Sequence, residues 1–505
     1  PPRSTLFPYT TLFRSGEIYS SQNLSAYQDF MHQIYAVKIS NNVHLNEDEP
    51  AYYFVGGHHA REPLSVEVCM AIMQYLLDGY GTDVELTQLI DTSEIWIIPL
   101  LNPDGHKLVI DQTDVWWRKN IRDNNTNFAL SITGSGYGYG IDGVDLNRNY
   151  SFMRGNLNAS DDPNSVTYHG LYGFSEPETT AFKGLLDSGK FVAGISFHTY
   201  GEYVLYPFGY AHNVSGPDVA EQTLLAQPMA KLIPKQDVGT YTAMPSYSLY
   251  PVSGTSEDWA YGTHGIFAYT IEMATTFIPP AAEVPVICQN HLAAAKHFLQ
   301  RKNFKTLTGH VYDANTLEPI SAMVWISEID GALVFRSPYV SRADFGSYYR
   351  FLPEGIFTAK FVLEGYQTQT HVVEINSLGQ TVLDVYLIPS VEAAQHIRVS
   401  DYNGVPLQGA QVSFVGGESY FTDDNGWVLI PSIALGEYRA EISKSGYETL
   451  YVFSNFNGFD IYYRLSSVAI FSEGFENDLS NWVRTGAWAI TQSESIDGKI
   501  GRAHV

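Results

Sequence analysis

Tyr52-Tyr53-Phe54-Val55-Gly56-Gly57-His58-His59-Ala60-Arg61-Glu62 is the stretch from which the fold of this chain is read. Its first four residues are an apolar run of strand length, and Gly56-Gly57 ends it. Beyond Glu62, Leu64, Val68, Ala71, Ile72, Tyr75 and Leu76 recur at helical spacing, and Gly79 stands where a C-cap is expected. His59 and Glu62 therefore fall on a strand-to-helix turn. An imidazole and a carboxylate three residues apart at the start of a helix can point at one ion. Taken alone, the pair also reads as a surface turn with incidental charges. His58 competes with its neighbour, and alternating side-chain directions let only one of the two face an ion.

From about Ile34 to Leu299 the same alternation continues, apolar runs followed by helical segments. The runs at 52–55, 95–100, 192–197 and 266–271 are short and nearly continuous. Such runs suit strands buried on both faces, so the expectation is an α/β fold with a mixed, largely parallel sheet flanked by helices. Each run leads into a polar cluster: His59 to Glu62, Asn102-Pro103-Asp104-Gly105, His198-Thr199-Tyr200, and Glu272. Sites in open α/β sheets lie outside the carboxyl ends of the strands. A catalytic zinc takes three protein ligands and keeps one position open. His59 and Glu62 offer two, and His198 is the candidate third. By itself His198 also reads as a core histidine. His169 and His264 compete, but neither ends such a run.

Composition narrows the class. The 505 residues are enough for two to four domains, and Lys+Arg 29 against Asp+Glu 54 leaves a formal charge of -25. That balance repels nucleic acid phosphates. Aromatics reach 14%, rich in Tyr, as in β-rich secreted modules. Cys69 and Cys288 are the only cysteines, so no disulfide framework is implied, and Cys69 lies in the apolar helical pattern. No apolar run approaches a membrane span.

After Leu299 alternating strands with Gly, Pro and Asn turns take over, and an internal repeat appears. Gly355-Ile356-Phe357-Thr358-Ala359 and Gly365-Tyr366-Gln367-Thr368 return as Gly436-Glu437-Tyr438-Arg439-Ala440 and Gly446-Tyr447-Glu448-Thr449. Two small β-sandwiches are expected at 305–389 and 394–467, resembling transthyretin-like, carboxypeptidase-regulatory modules. Glu473-Gly474-Phe475-Glu476 with Trp482 and Trp488 reads as the start of a further β domain, 470–499. Residues 5–15 and 500–505 read as translated sequencing adapters. Positions 1–15 and 500–505 are therefore expected to be artefacts on an open-ended fragment and are left out of the fold reasoning.

An ordered set of motifs then carries a resemblance. Gly57-His58-His59-Ala60-Arg61-Glu62, Trp117-Arg118-Lys119-Asn120, Asp145-Leu146-Asn147-Arg148-Asn149 and Ser175-Glu176-Pro177-Glu178-Thr179 come first. Ser196 to Tyr200, Leu205-Tyr206-Pro207-Phe208-Gly209-Tyr210, Tyr250 with Ser253-Gly254, and Thr270-Ile271-Glu272 follow. The succession resembles the zinc carboxypeptidases of the carboxypeptidase A type, in a bacterial, secreted form, over most of residues 34–299. The resemblance implies a catalytic domain at 16–300 with one zinc held by His59, Glu62 and His198. It implies that Glu272 is the general base, taking a proton from the attacking water and passing it to the leaving amine. It implies that Arg118 stabilises the oxyanion, and that Asn147 and Arg148 grip the terminal carboxylate of the substrate. Tyr250 would close over that terminus, and Arg61 would line an outer subsite or pair with a carboxylate.

Glu257 would sit at the base of the pocket for the terminal side chain. A buried carboxylate there favours Lys or Arg; the alternative is that Glu257 turns away or is satisfied by a neighbour. The expected partner is a peptide or protein with a free C-terminus, met outside the cell or at its surface. The family's N-terminal helix and first strand find too little chain before Ile34. Two rival readings stay open: a cell-wall peptide peptidase or amidase with the same zinc chemistry, and a non-catalytic surface-binding protein with adhesive β modules. The β repeats read as spacers or as modules docked on the catalytic domain. The loop carboxylates Asp123, Asp142, Asp161 and Asp162 read as solvated rather than calcium-binding.

Overall fold

The computed structural model describes residues 13–14, 32–126, 130–131, 138–212, 214–331, 336–414 and 418–467. The expectations for 470–499, for 500–505, and for 1–15 apart from Phe13 and Arg14 lie outside the described residues. Phe13–Arg14 pairs antiparallel with Gln33–Ile34.

The α/β part is built on seven strands: β1 Val37–Ile39, β2 Ala51–Val55, β3 Glu94–Ile98, β4 Phe191–Thr199, β5 Tyr203–Tyr206, β6 Thr242–Pro245 and β7 Phe267–Met273. Their spatial order is β1-β3-β2-β4-β7-β5-β6. The central four, β3, β2, β4 and β7, are parallel; β1 and β5 run antiparallel to their neighbours β3 and β7, and β6 is parallel to β5. The parallel four coincide with the four apolar runs, because a parallel strand covered by helices on both faces has no polar side to show. Helices α1 Pro63–Gly79, α2 Val84–Asp91, α3 Pro103–Ile110, α4 Pro177–Leu186, α5 Val219–Leu232, α6 Ser256–His264 and α7 Val284–Gln300 complete this part. Tyr52, Phe54, Ile95 and Ile97 share one core with Leu64, Val68, Ile72, Leu76, Leu225 and Phe298. Tyr53, Val55, Trp96 and Ile98 point the other way, into a second core with Phe182 and Trp259.

Two expectations need correction. Gly79 is the last residue of α1 rather than its cap; Tyr80 caps it, and the positive φ falls on Gly81. His198 and Glu272 lie within β4 and β7 instead of after them, cross-registered with one another. A polar side chain does not interrupt a ladder whose hydrogen bonds are made by the backbone.

The first β-rich segment has strands β8 Phe304–Asp313, β9 Met323–Ile326, β10 Ser347–Phe351, β11 Gly355–Val362, β12 Gln369–Ile375, β13 Gly379–Val382 and β14 Val385–Leu387. They form one sheet of order β10-β8-β13, with β14 also on β8, and another of order β9-β11-β12. Their inward residues, among them Leu307, Val324, Phe361 and Leu387, make one core. This segment belongs to the same compact unit as the α/β part. Asp218, just before α5, accepts from Arg336 Nε at 2.7 Å and from Tyr261 Oη at 2.8 Å. Arg350 reaches Asp330 at 2.7 Å and Asp218 at 3.4 Å. Arg336 also meets Asp330, and all four charged side chains are buried. Beside them Phe351 packs edge-on against Phe267 of β7.

The second segment, apart from residues 434–437, is a separate compact unit. Its strands are β15 Glu392–Asp401, β16 Gln411–Phe414, β17 Ser419–Phe421, β18 Trp427–Ala434, β19 Gly436–Ser443, β20 Leu450–Phe456 and β21 Ile461–Leu465. They make sheets of order β18-β15-β21 and β17-β16-β19-β20, with a core that includes Ile397, Val412, Ile430 and Phe456.

Candidate active site

The turn after β2 is shaped by glycine. Gly57 has φ +65, and a Cβ there would come within 2.6 Å of Leu100 Cδ1, so the chain turns closely under the loop that follows β3. Beyond that turn His58 and His59 take different partners, His58 meeting Tyr150 and Ser196 and His59 meeting Glu62 and Asp145. Glu62 stands at the N-cap of α1, with Pro63 opening the helix. His198 comes up from β4, and the three side chains meet: His59 Nδ1 is 2.8 Å from Glu62 Oε1, and His198 Nδ1 is 3.0 Å from Glu62 Oε2. His59 Nδ1 and His198 Nδ1 are 3.1 Å apart. Among the described residues this is the group of His, Cys, Asp and Glu side chains whose ligand atoms, all within 4.8 Å of one another, could hold a metal ion. Two imidazole nitrogens and a carboxylate, all buried, form a donor set suited to zinc.

The remaining polar atoms of the three are also occupied. His59 Nε2 lies 3.1 Å from Asp145 Oδ1, and His198 Nε2 lies 3.0 Å from Ser196 Oγ. Glu62 Oε2 accepts the Thr199 N–H at 3.2 Å. Such outer contacts fix which ring nitrogen is left for the metal. Burial alone would raise the Glu62 carboxyl; His59 and the hydrogen bonds from both imidazoles override it and hold the group well below the usual range. Asp145, which sequence reasoning left without a role, turns its second oxygen to Arg118 Nε at 2.8 Å. It thus ties a ligand histidine to the guanidinium, and burial notwithstanding it is held well below the usual carboxylate range by Arg118 and His59. Its only signal in the sequence was membership of the Asp145-Leu146-Asn147-Arg148-Asn149 loop.

Glu272 projects from β7 beside His198 and keeps part of its surface open. Desolvation pushes its carboxyl up to about 7, with Glu62 adding to the rise and His198 and Arg118 opposing it. The other predicted site residues have contacts of their own. Asn147 and Arg148 sit on a 3-10 turn, Leu146–Arg148. Asn147 Oδ1 accepts the Ser256 N–H at 2.9 Å, while Arg148 gives Nε and Nη1 to the carbonyls of Asn158 and Asn147, both at 2.8 Å. Gly254, φ +73, lies against the Arg148 carbonyl, where a Cβ would come within 2.4 Å. Tyr250 is 42% exposed on the loop between β6 and α6. Among the described residues Arg61 makes no carboxylate pair: its guanidinium lies 4.2 Å from the Phe277 ring centroid, in an aromatic group with Trp116 and Tyr200.

Glu257, on the first turn of α6, is 4% exposed. Its Oε1 is 3.5 Å from Ser246 Oγ, and Oε2 has no hydrogen-bond partner among the described residues. The adjacent Asp258 accepts the Gly209 and Tyr210 N–H groups. His169 and His264 stay outside the cluster; His264 instead faces Asp187 at 3.3 Å. One loop carboxylate was misjudged as solvated. Asp142 is buried and accepts the N–H groups of Asn124 and Ser131.

Three buried donors that could hold one metal ion, with the Glu272 carboxylate beside them, thus lie on the carboxyl side of a mixed α/β sheet. Residues 32–294 match the Peptidase M14 model, described as zinc carboxypeptidase, and the chain belongs to that family. It is 31% identical over 284 residues to a zinc carboxypeptidase of Saccharothrix mutabilis subsp. capreolus, covering 53% of this chain and 61% of that protein. It is 28% identical over 271 residues to carboxypeptidase B of Bos taurus, covering 52% and 61%. With carboxypeptidase A1 of Bos taurus it shares 31% over 258 residues, covering 50% and 57%. The chain thus spans about three fifths of the length of these relatives.

Proposed function

We propose that this protein is a zinc-dependent metallocarboxypeptidase that removes single residues from the free C-terminus of peptides or proteins. The observation that carries the reading is the buried convergence of His59, Glu62 and His198 with Glu272 registered beside His198. In this reading His59, Glu62 and His198 hold the metal. When bound, zinc supplies Lewis-acid activation of water and carbonyl. Glu272 takes the proton from the attacking water and delivers it to the leaving amine; a carboxyl lifted towards 7 can do both near neutrality. Arg118, oriented by Asp145, donates to the oxyanion. Asn147 and Arg148 bind the terminal carboxylate, and Tyr250 closes over it. Arg61, laid across Phe277, lines the outer part of the cleft. The carboxylate clamp is what limits cleavage to the chain end.

The preferred terminal residue is Lys or Arg. Identity does not choose between the A-type and B-type relatives, but the buried Glu257 with a free oxygen supports a cationic side chain. A cation there would satisfy that oxygen, whereas an apolar side chain would leave it buried and unpaired. The enzyme is read as a secreted or cell-surface bacterial protein. Its β-rich segments are read as transthyretin-like sandwiches; the paired sheets, each pair enclosing one core, support this.

The test is C-terminal trimming of a mixed peptide library followed by mass spectrometry, with and without a zinc chelator. Chelator-sensitive loss of single terminal residues is expected, Lys and Arg first. Glu257→Ile is expected to shift the preference to apolar termini; unchanged cleavage of terminal Arg in that variant removes the pocket argument while leaving the enzyme.

A further inference from the structure

Behind the metal site a second histidine is built into the protein with as much care as the ligands. His58 is fully buried. Its Nδ1 lies 3.2 Å from Ser196 Oγ and its Nε2 lies 2.9 Å from Tyr150 Oη. Its ring lies over that of His198, centroids 5.3 Å apart and planes 27° from parallel. Ser196 is two residues before His198 on β4, so both side chains leave the same face of the sheet and Ser196 Oγ reaches His198 Nε2 at 3.0 Å.

Donor and acceptor chemistry gives these contacts one direction. If His198 Nδ1 is to hold a metal, its lone pair must be free, so the ring proton resides on Nε2 and is donated to Ser196 Oγ. Ser196 then turns its own proton to His58 Nδ1. That leaves the proton of His58 on Nε2, donated to Tyr150 Oη. Each atom has one role, and an imidazole at position 58 both accepts from the serine and donates to the tyrosine. Simple packing does not account for the arrangement: an apolar ring would fill the space without requiring two buried nitrogens to be matched.

We propose that His58, Ser196 and Tyr150 form a positioning relay that fixes the tautomer and ring orientation of the zinc ligand His198. They act through His198 and touch neither substrate nor metal. This rests on the reading of His59, Glu62 and His198 as the zinc site. It gives position 58 a purpose distinct from that of its neighbour: one histidine of the pair binds the ion and the other holds a ligand from behind.

The experiment measures zinc affinity of the full chain by competition with a chromophoric chelator, alongside the visible spectrum of the cobalt(II)-substituted protein and the melting temperature of the apo form. Loss of an outer partner of a ligand histidine is expected to weaken zinc binding about 10- to 100-fold. Ser196→Ala, a minimal truncation, is expected to show that loss and an altered cobalt spectrum with the apo melting temperature little changed. His58→Phe is expected to match it, and His58→Asn, whose side-chain oxygen can accept from Ser196, to recover part of the affinity. Wild-type zinc affinity and an unchanged cobalt spectrum in folded Ser196→Ala would overturn the proposal while the functional reading stands. Failure of the unaltered chain to bind zinc would instead overturn that reading, and the relay with it.

Discussion

Glu272 carries the sharpest single-residue consequence. Replacement by Gln keeps shape and leaves the three ligands untouched, so zinc content is expected to hold while kcat falls about 100- to 10,000-fold, the range for a lost general base. Atomic absorption and steady-state kinetics on the same sample check both halves. Since the base must be ionised to work, kcat/KM of the unaltered enzyme is expected to rise with pH along an acidic limb. Its midpoint lies at or below about 7, because burial raises the group and a bound cation would lower it.

Glu178 makes a different pH prediction. It is buried beside Glu176, and desolvation first, then that neighbour, hold its carboxyl well above the ordinary value. The folded state therefore binds this proton more tightly than the unfolded one. The resulting stability is complete below the ordinary value of 4.5 and is lost as pH rises through the elevated one. Glu178→Gln can still accept from Asn120, which lies 3.2 Å away, but carries no proton to lose. Its unfolding free energy relative to the unaltered protein is expected to improve from pH 5 to pH 8, read from urea curves at each pH.

At the level of elements, β2, its glycine turn and α1 act as one device. The strand is pinned on both faces, the turn needs a left-handed residue, and α1 is held down by Leu64, Val68, Ile72 and Leu76. Ile72 is fully buried in that stripe, so Ile72→Ala is expected to cost about 2–5 kcal/mol in urea unfolding. Because α1 carries Glu62 at its cap, the same variant is expected to weaken zinc binding although it touches no ligand. Much of this element was legible in advance: periodicity marked both strand and helix. The end of α1 was not, since a glycine can finish a helix from inside as well as from the position after it.

Across the whole molecule, the first β-rich segment is bound into the α/β part by charge as well as by packing. Asp218, Asp330, Arg336 and Arg350 pair with one another, and all four are buried. Removing one member strands the others in a dry site. Arg336→Ala is expected to destabilise by about 3–5 kcal/mol. Calorimetry is expected to find residues 32–389 melting in a single transition that this variant shifts as a whole. A spacer would not behave so; of the two roles the repeats suggested, the first copy fits the docked one.

Periodicity, glycine placement and the order of motifs were enough to determine the α/β class, the parallel run of four central strands and the three candidate ligands. These are local properties: a strand covered on both faces must be apolar, and a turn between strand and helix must bring its polar residues to the strand's carboxyl end. Only the tertiary structure set His58 against Ser196 and Tyr150. It alone assigned Asp145 to His59 and Arg118, left one oxygen of Glu257 without a partner among the described residues, and buried Asp142 and the Asp218–Arg336 pair. Each of these joins residues far apart in the chain, and the free energy of a buried polar group depends on the partner that folding delivers to it, which no window of sequence contains.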